Sequence, residues 1–121
     1  MDMRKLIAAS VIGAVGLLSS QAEALSDRQR QTLEIVFKAA FAGTQDNCPR
    51  FRLRYRDVGQ ELLSVRITED DLKTPEIQDI QNQLFAKTAL KWAQNPSDFC
   101  NAAWQLFGPH GMYFRQLLEE K

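Results

Sequence analysis

The sequence has little of the chemistry that marks catalytic or metal sites. Its 121 residues include one His and two Cys, and 15 basic residues balance 15 acidic ones. This inventory excludes zinc sites with four Cys or with two Cys and two His, and there is no C-x-x-C-H motif for c-type haem attachment. A formal charge of zero argues against a dedicated nucleic-acid binder or a polybasic membrane-surface protein. The length predicts a single domain.

A single long apolar run stands near the N-terminus. Two basic residues precede the 13 residues of Leu6–Leu18, and a small-x-small site ends at Ala24. This is the three-part pattern of a secretory signal peptide, and the run is shorter than the roughly 20 apolar residues of a membrane span. We predict that residues 1–24 are a signal peptide, cut after Ala24 with Ala22 as second choice. Residues 25–121 would then be one exported domain, periplasmic or secreted, with no transmembrane segment.

Both cysteines, Cys48 and Cys100, follow the predicted signal peptide. In an oxidising compartment two cysteines allow one intramolecular pairing; a reactive thiol and an intermolecular bridge are the alternatives. Neither cysteine belongs to a C-x-x-C motif, and Cys100 follows Phe99 in an apolar setting. We therefore predict a structural disulfide, which would stabilise the fold by about 4 kcal/mol on the chain-entropy model.

Capping signals and apolar spacing predict a helical chain. Ser26 and Gln29 form a capping box before a helix over residues 27–42. A single helical turn is predicted at Thr68–Asp71. Two longer helices are predicted from Pro75 to Asn95, with Thr74 as cap, and from Asp98 to Phe107, with Ser97 as cap. A short amphipathic helix is predicted over Met112–Leu118.

Residues 50–67 fit two patterns. Alternating arginine and apolar residues have the period of a strand, whereas a second set of apolar residues has helical spacing: Phe51, Tyr55, Val58, Leu62 and Val65. We predict an extended start to about Arg54 followed by a helix to Arg66, and leave open whether residues 50–54 are strand or helix. Because no partner strand is visible elsewhere, the predicted fold is all-α. It is a bundle of four to five helices stapled by one disulfide.

Side chains able to support catalysis are scarce. His110 is the sole imidazole and stands in a Gly-Pro-His-Gly turn. No serine has the context of a nucleophile elbow, and the acidic run Glu69–Asp71 is accounted for by the charge preference of a helix start. The sequence therefore predicts that the protein is not an enzyme and has neither a cofactor nor a metal.

Two groups of residues are candidates for binding a partner. The first comprises four alternating arginines, whose forks suit carboxylates or phosphates; the alternative is a solvated face balanced by acidic residues downstream. The second is aromatic and lies in the last quarter, where most rings are expected in the core and an excess would line a groove. The candidates are Arg50, Arg52, Arg54, Arg56, Trp104, Phe107, Tyr113 and Phe114.

The combination of a cleaved signal, a short helical mature chain and a disulfide between Cys48 and Cys100 is similar to that of the small periplasmic acid-stress chaperones of the HdeA type. No motif is matched residue by residue, so no functional residue is carried over. We predict an exported protein that binds another protein of the cell envelope, as a chaperone, inhibitor or assembly accessory. The alternative is a small-ligand carrier or enzyme with a pocket between helices near His110 and Tyr113.

Overall fold

The computed structural model describes residues 24–111 and 116–121, a part of the chain that contains four α-helices and one two-stranded sheet. The predicted signal peptide lies outside the described residues, apart from Ala24. In chain order the elements are α1 (Asp27–Gly43), β1 (Phe51–Leu53), α2 (Tyr55–Ser64), a 3₁₀ turn (Asp71–Lys73), α3 (Pro75–Gln94), α4 (Pro96–Phe107) and β2 (Leu118–Glu120).

The predicted start of α1 is confirmed in atomic detail. Ser26 Oγ accepts from the amide of Gln29 at 3.1 Å, and Gln29 Oε1 accepts from the amide of Ser26 at 2.9 Å. Each side chain thus satisfies a backbone donor that the first helical turn leaves free. The Gln29 side chain also donates to the carbonyl of Val65 at 3.0 Å, which ties the start of α1 to the chain just beyond α2.

α3 has the predicted extent and the predicted Thr74 at its N-cap position, whereas α4 differs from the prediction at its start. At the start of α3 the hydroxyl of Thr74 donates to the carbonyl of Asp71 at 2.7 Å, so its side chain makes no capping bond. α4 begins at Pro96 rather than Asp98, and its cap is Asn95, not Ser97. Asn95 Oδ1 accepts from the amide of Asp98 at 3.1 Å. Because Pro lacks an N–H, Pro96 fits the first helical position and Asn95 the cap before it.

The all-α prediction was incomplete, because β1 finds a partner at the end of the chain. β2 runs antiparallel to it, pairing Phe51 with Glu120, Arg52 with Glu119, and Leu53 with Leu118. The expected final helix is therefore wrong at Leu118, which lies in a strand; most of its other residues, 112–115, lie outside the described part of the chain. Pairing satisfies backbone groups that a lone strand would leave unbonded.

The predicted disulfide is confirmed. Cys48 and Cys100 are bonded, with their Cα atoms 5.6 Å apart, and the bond joins the loop after α1 to α4. The same loop is held from α3 as well, since Trp92 Nε1 donates to the carbonyl of Asn47 at 2.7 Å. The loop is therefore fixed to both of the later helices.

The hydrophobic core lies between α1, β1 and the later helices. Leu33, Ile67, Leu117 and Leu118 are its largest fully buried side chains. Phe41 of α1 makes edge-to-face contacts with rings of α3 and α4, at centroid distances of 5.7 Å to Phe85, 6.5 Å to Trp92 and 5.7 Å to Phe99. Such contacts are favoured by the ring quadrupole. α1 is thereby fixed against both helices, and α2 is left with one face outward.

Candidate partner-binding surface

The structure brings three of the four predicted arginines to the sheet and gives each a carboxylate. Arg52 Nε lies 2.6 Å from Glu119 Oε2, and a guanidinium nitrogen of Arg50 lies 3.7 Å from Glu120 Oε2. These pairs follow from the antiparallel register, which sets the Leu-Glu-Glu sequence of β2 beside β1. A partner with acidic groups would therefore compete with carboxylates of the same chain at Arg50 and Arg52.

Arg54 is neutralised on two sides. Its Nε lies 2.7 Å from Asp57 Oδ2 and 3.8 Å from Glu119 Oε1. The Oδ2 atom of Asp57 is buried and has no aligned hydrogen bond, so it is held by the charge of Arg54. Arg54 thus serves to fix the turn from β1 into α2.

The aromatic candidates divide between the core and the undescribed part of the chain. Phe107 is 2% exposed and belongs to the core. Trp104 is half-buried and stacks on Phe51, with ring centroids 4.6 Å apart and planes 11° from parallel. Tyr113 and Phe114 lie outside the described residues. Phe107 is therefore unavailable to a partner, and one face of the Trp104 ring is covered by Phe51.

α2 carries an exposed apolar stripe that the sequence patterns did not single out. Tyr55 is 71% exposed and Leu63 is 62% exposed, although both are large and apolar. They stand four residues before and four after Gly59, a spacing that places all three on one side of a helix. We call these three residues, Tyr55, Gly59 and Leu63, the α2 stripe.

Tyr55 is exposed although its spacing matches that of buried residues. Val58, Leu62 and Val65 of the predicted apolar set are buried, as is Phe51. Phe51 lies in β1, so α2 begins only at Tyr55. Val58 and Leu62 lie three and seven positions after Tyr55 and share its side of the helix, so the helical period alone does not account for the exposure of this first residue of α2.

Gly59 has no role in folding that the structure displays. A Cβ built at this position would have no atom within 4 Å, and the residue does not have a positive φ. Glycine inside a helix costs about 1 kcal/mol relative to alanine. Gly59 therefore leaves open space between two exposed apolar side chains.

Cavities lie beside the start of α1 in the described part of the chain. One, of about 670 Å³, lies between the start of α1 and the 3₁₀ turn. A cavity of about 360 Å³ lies where the start of α1 meets the end of α2. His110 is exposed on the loop after α4. Tyr113, the other residue of the predicted pocket, lies outside the described residues.

Within residues 24–111 and 116–121, no three metal-ligating side chains of His, Cys, Asp or Glu cluster together. Nor does any helix in these ranges have both the length and the hydropathy needed to cross a membrane.

Comparison with known proteins does not assign this chain to a family. No family model, curated protein or solved structure matches this chain. The similarity in design to the acid-stress chaperones therefore gains no support from these comparisons.

Proposed function

We propose that this is a small exported helical protein that binds another protein of the cell envelope, and that the α2 stripe is its docking surface. Export is supported by the signal-peptide pattern of residues 1–24 and by the bond between Cys48 and Cys100, since disulfides form in oxidising compartments. The corresponding location is the periplasm or the extracellular space. The role at the partner is that of a chaperone, inhibitor or assembly accessory.

The α2 stripe is the observation that carries the proposal. Large apolar side chains that are exposed together on one helix are candidates for a contact with a partner. Tyr55 and Leu63 are more than half exposed, and Gly59 leaves a shallow gap between them. Such a gap suits the close approach of a partner helix, which would cover both neighbours.

The test is retention of envelope proteins by the full chain, exported and purified with its disulfide intact. We expect a partner to be retained by the wild type and lost from Leu63→Ser, at neutral pH or after acid treatment. Leu90→Ser is the matched control, because Leu90 is an equally exposed leucine, at 68%, on α3. Equal loss from both variants, or no retained partner under either condition, would contradict the proposal.

A further inference from the structure

The described arginines fall into two classes by their partners. Four of them have a carboxylate within 4 Å: Arg30, Arg50, Arg52 and Arg54. Among the described residues the other three, Arg28, Arg56 and Arg66, form no ion pair, and all three are exposed. In a chain with as many acidic as basic residues, this division is not a consequence of a shortage of carboxylates.

The unpaired arginines lie at the two ends of the α2 stripe. Arg56 directly follows Tyr55 and is on the exposed side of α2. At the other end Ser64 directly follows Leu63 and lines the 360 Å³ cavity, which Arg28 and Arg66 also line. α2 has 10 residues and is therefore about 15 Å long, so positive charge brackets an apolar strip of that length.

The carboxylates of α2 do not cancel this charge at the surface. Asp57 is paired with Arg54 and its side chain is 18% exposed. Glu61 is 5% exposed and lines the neighbouring cavity, together with Arg28. Neither acid of α2 is exposed, so the exposed side chains of α2 itself, apart from Tyr55 and Leu63, are Arg56, Gln60 and Ser64.

From this arrangement we infer that the partner presents an acidic amphipathic helix. Its apolar side chains would lie along Tyr55 and Leu63, with its backbone crossing at Gly59. Its carboxylates would pair with Arg56 at one end, and with Arg28 and Arg66 at the other. Guanidinium groups form forked hydrogen bonds with carboxylates, so the two ends would select acidic residues and set the position of the helix. This inference rests on the proposed function, because it specifies the partner of the same surface.

A peptide-display selection tests the inference without knowledge of the natural partner. The probe is a library of random peptides of about 15 residues, which is long enough for a four-turn helix, and the bait is the full chain purified with its disulfide. We expect selected peptides to combine Asp or Glu with apolar residues at helical spacing. Their binding should weaken as salt rises from about 0.05 to 0.5 M, because exposed ion pairs are screened.

Arginine variants distinguish failure of the acidic-partner inference from failure of the proposed function. Replacing the unpaired arginines together, as R28Q/R56Q/R66Q, should weaken the selected peptides about tenfold. The control R30Q/R50Q/R52Q removes the same charge from ion-paired positions and should change binding less than threefold. Neutral or basic selected peptides, or equal weakening in both triple variants, would overturn the acidic-partner inference. The proposed function would stand in those cases provided that Leu63→Ser abolished binding.

Two further results would overturn the proposed function as well as the acidic-partner inference. If no peptide is enriched, or if enriched peptides bind Leu63→Ser as tightly as the wild type, the α2 stripe is not a docking surface and both proposals fail. If phosphatidylglycerol vesicles bind through Leu63 and the unpaired arginines while no peptide does, the surface belongs to a membrane contact. That outcome would likewise exclude the helical partner.

Discussion

Gly43, at the end of α1, lies directly against Leu118 of β2. A Cβ built on Gly43 would lie 2.7 Å from Leu118 Cδ2 and 2.8 Å from the backbone nitrogen of Leu53. The sheet therefore reaches the end of α1 at the one position where the helix has no side chain. This contact packs the end of α1 against the two-stranded sheet.

Gly43→Ala should lower the free energy of unfolding by about 1–3 kcal/mol, the usual cost of overpacking. Leu118 is fully buried and the Leu53 contact is with backbone, so neither neighbour is free to swing aside. Urea denaturation of the variant and the wild type would measure the change. Unchanged or increased stability would contradict the close approach of β1 and β2 to α1.

Gly59→Ala should have the opposite effect and serves as the matched comparison. Because a Cβ at Gly59 meets no atom within 4 Å, the variant gains helix propensity without strain. We expect the free energy of unfolding to rise by about 0.5–1 kcal/mol. The same denaturation experiment measures it, and a loss of stability would show that Gly59 has a folding role. If the docking proposal holds, this more stable variant should bind the partner less tightly.

Loss of the Cys48–Cys100 bond should lower the free energy of unfolding by about 2–5 kcal/mol. Reduction and the double variant Cys48→Ala with Cys100→Ala should have similar effects, and the double variant should be insensitive to reductant. Mass spectrometry of the untreated protein should show a deficit of two protons and no alkylation. Two freely alkylated thiols in protein from its native compartment would contradict both the bond and the export proposal.

Asp71 should titrate below its ordinary pKa of 3.8, because the backbone amide of Thr68 and then the Thr68 side chain hydrogen-bond with it. The Thr68 amide donates to Asp71 Oδ2 at 2.8 Å. A carboxyl with a lowered folded pKa stabilises the fold above its unfolded pKa and loses that contribution as pH falls through the folded pKa. Asp71→Asn should therefore remove part of the loss of stability at acid pH.

An NMR titration of the Asp71 carboxyl would measure this pKa directly. Thr68→Ala removes the side-chain hydrogen bond and should raise the pKa of Asp71 toward its ordinary value, while leaving the amide donor in place. An Asp71 pKa that does not move in Thr68→Ala would show that the backbone amide alone lowers it. An ordinary pKa in the wild type would contradict the turn geometry.

The helices could be predicted because their signals are local. The reciprocal bonds of Ser26 and Gln29 join residues three apart, and proline at the first position of α3 marks its start whatever lies around it. The disulfide was predictable for a different reason, since two cysteines in one chain have one intramolecular pairing.

The proposed docking surface was visible only in part from the sequence. Arg56 was among the sequence candidates and is exposed, whereas Tyr55 was grouped with apolar residues at helical spacing and Leu63 was not singled out. The available signal was a helix-interior glycine with apolar residues four positions to either side. That pattern does not reveal which face is buried, because burial depends on which elements pack against α2.

By itself the sequence determined the starts of α1 and α3, the end of α4, the disulfide and the absence of the zinc and haem motifs considered above, because each depends on neighbouring residues or on counting. Only the tertiary structure decided the sheet, since Arg52 and Glu119 pair across 67 positions of sequence and three-residue strands have too few residues to show a period. That same pairing gives Arg50 and Arg52 their carboxylate partners. Which arginines remain available to a partner thus follows from long-range packing, which no local pattern records.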